Sequence, residues 1–190
     1  MYCVQVKSIM DRFSVYCSTR KMKSLSRNCN HHSTVFVVQD FGKAVYKSSS
    51  LPFGIKNIEN EVIGYCWYNK FRSTEIIVSE RLKTDHYMKI EIAHIDAITP
   101  NMSSGYLKNV IYIELAIYHY VEIWGQLPID LLTFPVHGDY SIEGNILFKE
   151  DRVFVIDWEH FSEQGGALGF DAMYLLFETL LLDSTDDKKI

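Results

Sequence analysis

The stretch from Pro135 to Phe161, PVHGDYSIEGNILFKEDRVFVIDWEHF, constrains this chain more than any other. It holds two short β-type runs, Asn145-Ile146-Leu147-Phe148 and Val153-Phe154-Val155-Ile156. Lys149-Glu150-Asp151-Arg152 between them has room only for a tight reversal, so the pair reads as a hairpin. Folding about Glu150 and Asp151 brings the outer ends together and makes Asn145 and Asp157 neighbours, although they lie twelve positions apart. An amide oxygen and a carboxylate are hard donors, the kind Mg²⁺ accepts while keeping waters and substrate phosphates as its other ligands. Asp139 lies just before the hairpin, in a loop with Gly138 and Gly144, as a third oxygen group facing the same spot. It is placed to orient a hydroxyl or to take its proton. The neighbouring His137 reads as structural, its ring bonding backbone near the loop.

Upstream, STVFVVQDFGKAVYK (Ser33 to Lys47) is two β-rich runs around Asp40-Phe41-Gly42-Lys43, which predicts a second antiparallel hairpin. After the break at Ser48 to Pro52, Ile55 to Phe71 carries Ile58, Val62, Tyr65 and Cys66 at helical spacing, with Glu59 and Glu61 near its front. Glu75 to Glu80 and His86 to Ile92 read as two more strands. Pro100 to Gly105 is a polar break. Tyr106 to Trp124 is apolar on nearly every side and predicts a helix in the middle of a lobe, closed by Gly125 and stopped by Pro128. Asp171 to Leu182 predicts a closing helix whose Asp171 serves as an N-cap or first-turn acid.

Composition narrows the function classes. The 190 residues are 47% apolar, enough for a core that needs no metal or disulfide staple. Nineteen basic against twenty-four acidic residues, a net charge of −5, is the wrong sign for a nucleic-acid-binding protein. Gln5, Lys7 and Asp11 interrupt the start, which argues against a signal peptide, and no run reaches the ~18 apolar residues of a membrane span. A cytoplasmic protein is expected. Cys3, Cys17, Cys29 and Cys66 form no CxxC pair and read as reduced, mostly buried thiols. His31 and His32 lack a third ligand and read as surface residues.

HGDYSIEGNIL followed by VIDWEHF resembles the catalytic loop and metal-binding segment of the aminoglycoside phosphotransferase and choline kinase family, relatives of protein kinases. The family pattern is HGD, four residues, Asn, then a hairpin ending in Ile-Asp-Trp or Ile-Asp-Phe. Five residues, Tyr140 to Gly144, separate Asp139 from Asn145 here, a one-residue insertion. The resemblance implies a two-lobed, protein kinase-like α+β fold. Residues 1–93 would be a nucleotide-binding lobe of antiparallel sheet with one helix, and residues 94–190 a mainly helical catalytic lobe carrying the hairpin. It implies Lys47 as the phosphate-contacting lysine, Glu61 as its helix glutamate with Glu59 as the other candidate, and a hinge near Ile92, Ala93 and His94. It places Asp171 near an aspartate that braces the catalytic loop. Ser18 to His32, without glycine but with Arg20, Lys21, Lys23 and Arg27, would stand in for a glycine-rich phosphate loop. Thirty-three residues follow Asp157, fewer than the family's usual helical tail, so the chain reads as a fragment, a truncated product or a minimal kinase.

The activity so implied is transfer of the terminal phosphoryl group of ATP (or GTP) to a hydroxyl of a small acceptor such as an aminoglycoside, amino alcohol or sugar. Asp139 would be catalytic, Asn145 and Asp157 would hold Mg²⁺, and Lys47 with Glu61 would steady the other phosphates. Two alternatives stand beside it. One is a catalytically inactive, kinase-like nucleotide-binding module; the other is a metal-dependent hydrolase using Asp139 and Asp157. Acceptor identity and oligomeric state are left open.

Overall fold

The computed structural model describes residues 35–40, 42–72, 75–100, 110–128 and 132–186, the last six of these by backbone alone. The basic stretch Ser18 to His32, His31 and His32 themselves, Cys3, Cys17, Cys29, Phe41 and the polar break at 101–105 lie outside the described residues.

Strands β1 (Phe36–Asp40) and β2 (Ala44–Ser49) form the first hairpin as expected, in register from Phe36 opposite Ser48 to Asp40 opposite Ala44. Helix α1 (Pro52–Asn69) follows. It begins three residues earlier than the apolar spacing indicates. The Ser48 to Pro52 segment is the lead-in to the helix: proline at the first helical position has no N–H to lose and its φ is preset. The Ser49 hydroxyl accepts the Leu51 N–H at 3.1 Å just ahead of it.

Strands β3 (Val78–Thr84) and β4 (Tyr87–Ala93) complete an antiparallel sheet of order β1-β2-β4-β3. Strand β4 lies where the sequence puts it, whereas β3 starts three residues later than expected. Ile76, buried, drew the expectation forward, yet its backbone is clamped by the Asn69 side chain, whose Oδ1 accepts the Ile76 N–H (3.0 Å) while Nδ2 donates to its carbonyl (2.9 Å). The strand itself is an exposed edge, and an edge can be polar and charged.

In the second half, α2 (Val110–Trp124) is followed by β5 (Phe134–Val136), the expected hairpin β6 (Ile146–Lys149) and β7 (Arg152–Val155), a 3-10 turn at Trp158–His160, β8 (Ser162–Gly166) and α3 (Phe170–Asp186). The β6–β7 register pairs Ile146 with Val155 and Lys149 with Arg152. Strand β8, which pairs with β5, was not legible in the sequence, because SEQGG carries no apolar alternation. The expectation that α2 is enclosed on all sides is corrected. Ile113, Ala116, Tyr120, Ile123 and Trp124 face inward, while Tyr118 and Val121 are 80% and 61% exposed. Apolar composition alone does not fix how many faces of a helix are covered among the described residues. Cys66 is also corrected: it sits on the outer face of α1 and is exposed.

The core runs through both halves. Ile58, Tyr65 and Tyr68 of α1, Ile90 of β4, Ile146 of β6 and Val155 of β7 all lie in one buried cluster. Its centre is aromatic: Trp67 lies 5.1 Å from Trp124 and 5.9 Å from Trp158 between ring centroids, and Trp124 stacks on Trp158 at 6.4 Å and 9°. These are the chain's three tryptophans. The approach of α1 to Trp158 requires Gly64, since a Cβ there would fall 2.6 Å from the Trp158 Cβ. Among the described residues no helix is long and apolar enough to cross a membrane.

Candidate active site

Lys47 leaves β2 on the face against which α1 packs, and Glu61 lies on the inward face of that helix. Their side chains are 8% and 1% exposed and form an ion pair at 2.8 Å. Glu59, the other candidate, instead pairs with Lys83 at 3.1 Å near the sheet edge. The same Lys47 ammonium donates to Asp157 Oδ1 at 2.5 Å, so three charged groups from β2, α1 and the end of the second hairpin converge. Burial pulls the Lys47 pKa down, but Glu61 and Asp157 together outweigh it and hold the ammonium above its ordinary range. Burial pushes the Glu61 carboxyl up against the pull of Lys47, and apart from that ion pair its oxygens have no hydrogen-bond partner. A buried charge with one counter-charge depends on it: breaking such a pair costs roughly 3–5 kcal/mol.

Asp157 has φ +64° and ψ +59°, a left-handed conformation that is uncommon for a residue with a Cβ. Its backbone N–H donates to the Tyr65 hydroxyl at 3.3 Å. Strain of this kind, ~1–3 kcal/mol per residue, persists where surrounding structure imposes it. Here it turns the carboxylate back toward Lys47.

Asp139 and Asn145 stand at the other side. The Asn145 side-chain Nδ2 donates to both the Asp139 carbonyl (2.8 Å) and the Asp139 Oδ2 (2.9 Å), so the loop longer by one residue still brings the two together. Asn145 and Asp157 share no hydrogen bond; the link between them is backbone, the Ile156 N–H donating to the Asn145 carbonyl at 2.9 Å. The loop carrying Asp139 is anchored from several directions. Asp171, at the start of α3 and fully buried, accepts the His137 N–H on one carboxylate oxygen (2.8 Å) and the Gly138 N–H on the other (3.0 Å). Burial pushes its carboxyl up to about 6 despite those bonds. His137 Nδ1 accepts the Asp139 N–H (3.2 Å), which leaves the proton on Nε2 for the Ile156 carbonyl (2.9 Å). That neutral ring is kept so by burial, which lowers its pKa to about 4. Gly138, at φ +88°, passes so close to the chain after Trp158 that a Cβ would lie 2.8 Å from the Cβ of His160.

Several contributors had no sequence signal. Tyr174 of α3 feels the Asp139 carboxylate, and burial first and Asp139 second push its phenol up to about 12. Glu178, one turn further on, accepts the Ile142 N–H at 3.2 Å, and burial raises its carboxyl. In sequence both sit in an apolar helix pattern that signals only packing.

A cleft of about 760 Å³ lies between the sheet and the second hairpin. Val45, Ile92, Leu147 and Ile156 line its apolar part, His94 borders it, and Lys47, Glu61 and Asp157 form its charged end. Gly144, next to Asn145, also lines it, whereas Asp139 and Asn145 are not among its lining residues. A cleft with an apolar part and an ammonium at its charged end can take a ligand that is apolar at one end and anionic at the other.

No protein family and no curated protein sequence matches the chain. Among solved structures it is similar to the streptomycin-ATP ternary complex of APH(2'')-IIa, at 14% identity and a TM-score of 0.44, covering 80% of this chain and 72% of that one. It is also similar to the ADP-bound aminoglycoside phosphotransferase APH(2'')-Ib, at 13% identity and a TM-score of 0.44, covering 93% of this chain and 84% of that one. A putative aminoglycoside phosphotransferase from Ralstonia eutropha matches at 15% identity and a TM-score of 0.35, covering 73% of this chain and 60% of that one. Likeness at this level does not by itself assign an activity; what the chain can do follows from its own side chains.

Proposed function

We propose that the chain is a phosphotransferase of kinase-like architecture that moves the terminal phosphoryl group of ATP (or GTP) to a hydroxyl of a small acceptor. Residues up to 93 would take the nucleotide and residues from 94 onward would carry catalysis. The observation behind the reading is Lys47, buried on the cleft wall and held between Glu61 at 2.8 Å and Asp157 at 2.5 Å. A lysine stem is flexible, and an ammonium fixed by two carboxylates is a point charge at a defined place, suited to the non-transferred phosphates of a nucleotide. The apolar part of the cleft would receive the base.

Asp139 would accept or orient the acceptor's hydroxyl proton. Its carboxylate is held by the Asn145 amide and its backbone N–H by the His137 ring, so little reorganisation is needed when the hydroxyl arrives. The donor set fits Mg²⁺. Asn145 spends its amide hydrogens on Asp139, which leaves Oδ1 as an oxygen donor, and Asp157 has Oδ2 left after Lys47 takes Oδ1. Among the described residues no group of three or more His, Cys, Asp and Glu could hold a metal. A two-oxygen seat completed by water and phosphate is the usual Mg²⁺ arrangement. Bound there, Mg²⁺ would neutralise phosphate charge.

The test pairs binding with turnover. ATP with Mg²⁺ at a hundred times its Kd should stabilise the wild-type chain by about 2.7 kcal/mol in thermal unfolding. Asp139→Ala should keep that stabilisation while ATP consumption with aminoglycosides, amino alcohols and sugars drops at least a hundredfold. Absence of any ATP effect on the wild type would overturn the reading. Binding without turnover across the acceptors would mark the chain as an inactive nucleotide-binding module instead.

A further inference from the structure

Among the described residues, strand β7 is paired with a strand on one side only. In an antiparallel ladder successive residues turn their N–H and C=O to opposite sides. The Ile156 N–H goes to Asn145 on the β6 side, so residues 153, 155 and 157 present theirs to the free edge. Side chains from one stripe of α1 and the turn after it take up this edge. Arg72 Nη1 donates to the Val153 carbonyl (2.5 Å), the Tyr68 hydroxyl accepts the Val155 N–H (3.2 Å), and the Tyr65 hydroxyl accepts the Asp157 N–H (3.3 Å). The stripe continues through Gly64 against Trp158 to Asn60, whose Nδ2 donates to the Glu159 carbonyl (3.3 Å). As the helix is read backward from 72 to 60, the partners run forward from 153 to 159.

We propose that this stripe serves as the missing strand neighbour of β7, and that Tyr65 is a positioning residue which, through the Asp157 N–H, fixes the left-handed backbone that aims the Asp157 carboxylate. Glu61 rides on the same helix one turn earlier. The placement of Glu61 relative to Asp157 is therefore set by one unit of helix and hairpin edge, to which Lys47 of β2 adds its two ion pairs. The role of Tyr65 toward the metal rests on the phosphotransferase reading; the Tyr65–Asp157 bond does not.

Tyr65→Phe removes the hydroxyl and keeps the ring, so a role in packing alone would survive it. Two measurements are made on the full chain. In native-state amide exchange, the Asp157 N–H should exchange roughly tenfold faster in the variant, with the Val155 N–H unchanged. In titrations with ADP, metal-free affinity should be unaltered, while the gain in affinity on adding Mg²⁺ should fall by roughly tenfold, the scale of one neutral hydrogen bond. Tyr68→Phe is the companion variant and should release the Val155 amide instead of that of Asp157. An Asp157 amide that exchanges at the wild-type rate in Tyr65→Phe overturns the proposal, as does an undiminished Mg²⁺ gain. A wild-type chain that binds no ADP overturns the phosphotransferase reading, and the exchange data then decide the Tyr65–Asp157 bond independently.

Discussion

Gly64→Ala isolates how closely helix α1 and the segment after the second hairpin must approach. The added methyl would sit 2.6 Å from the Cβ of Trp158 and 2.9 Å from its Cγ and Cε3. Carbon atoms rest at about 3.5–4.0 Å, so one side must give by roughly 1 Å. Trp158 has nowhere to go: it is fully buried, with Tyr68 at 5.0 Å, His137 at 4.6 Å and Phe161 at 5.6 Å between ring centroids. The helix must therefore shift, and with it the placement of Glu61 relative to Lys47. Alanine improves helix propensity by about 0.8–1.0 kcal/mol, while overpacking costs about 1–3 kcal/mol. The net loss in urea unfolding is thus small, between about zero and 2 kcal/mol. Function is far more sensitive, since a displacement of ~1 Å at reacting groups can cost ~100-fold in rate. The expected outcome is a chain that unfolds near the wild-type midpoint yet turns over ATP about a hundredfold more slowly. A variant that is both more stable and fully active would show that Trp158 yields, and would sink the argument that Gly64 sets the spacing of the site.

Two further outcomes follow from the buried polar groups. His119, buried against Arg72 and hydrogen-bonded to the Tyr68 hydroxyl at 2.6 Å, has its pKa lowered to about 3 by burial first and by Arg72 second. A pKa below the unfolded value of about 6.5 means stability present above pH 6.5 and lost as the pH falls toward 3. Against His119→Gln, which cannot titrate, wild-type stability should decline by an extra ~2.3 kcal/mol between pH 6.5 and 4.5, the slope approaching ~1.36 kcal/mol per pH unit at the acid end; parallel curves would refute the neutral buried ring. Asp171→Ala strips the acceptors from the His137 and Gly138 amides, at ~1–3 kcal/mol for each buried N–H left alone. Its Tm should fall and ATP turnover should drop with it, whereas unchanged turnover at a lowered Tm would deny Asp171 any part in holding the Asp139 loop.

Both hairpins could be read from the sequence because a tight turn between β-type runs is a local property, decided by Gly42-Lys43 and by Lys149 to Arg152. Helix α1 was legible in existence but not in its start, since Pro52 can end one element or begin the next and only the fold decides which. The convergence of Lys47 with Glu61 was anticipated from a resemblance, not from spacing, and what separates Glu61 from Glu59 is which face of α1 meets the sheet. Asn145 and Asp157 were expected side by side, and the hairpin does join their backbones, but their side chains are each held by a different neighbour. Tyr65, Tyr68, Arg72, Tyr174 and Glu178 stayed invisible for a common reason. Each acts through contacts with groups far away in sequence, and such contacts leave no period, motif or charge pattern along the chain.

The gathering of Trp67, Trp124 and Trp158 has a practical corollary for spectroscopy. Indoles packed this tightly trade excitation among themselves, so the tryptophan emission of the protein originates from one locale where α1, α2 and the post-hairpin turn meet. A fluorimeter trained on this chain would watch the seam between its halves come apart, and would be nearly blind to fraying along the outer margin of the sheet.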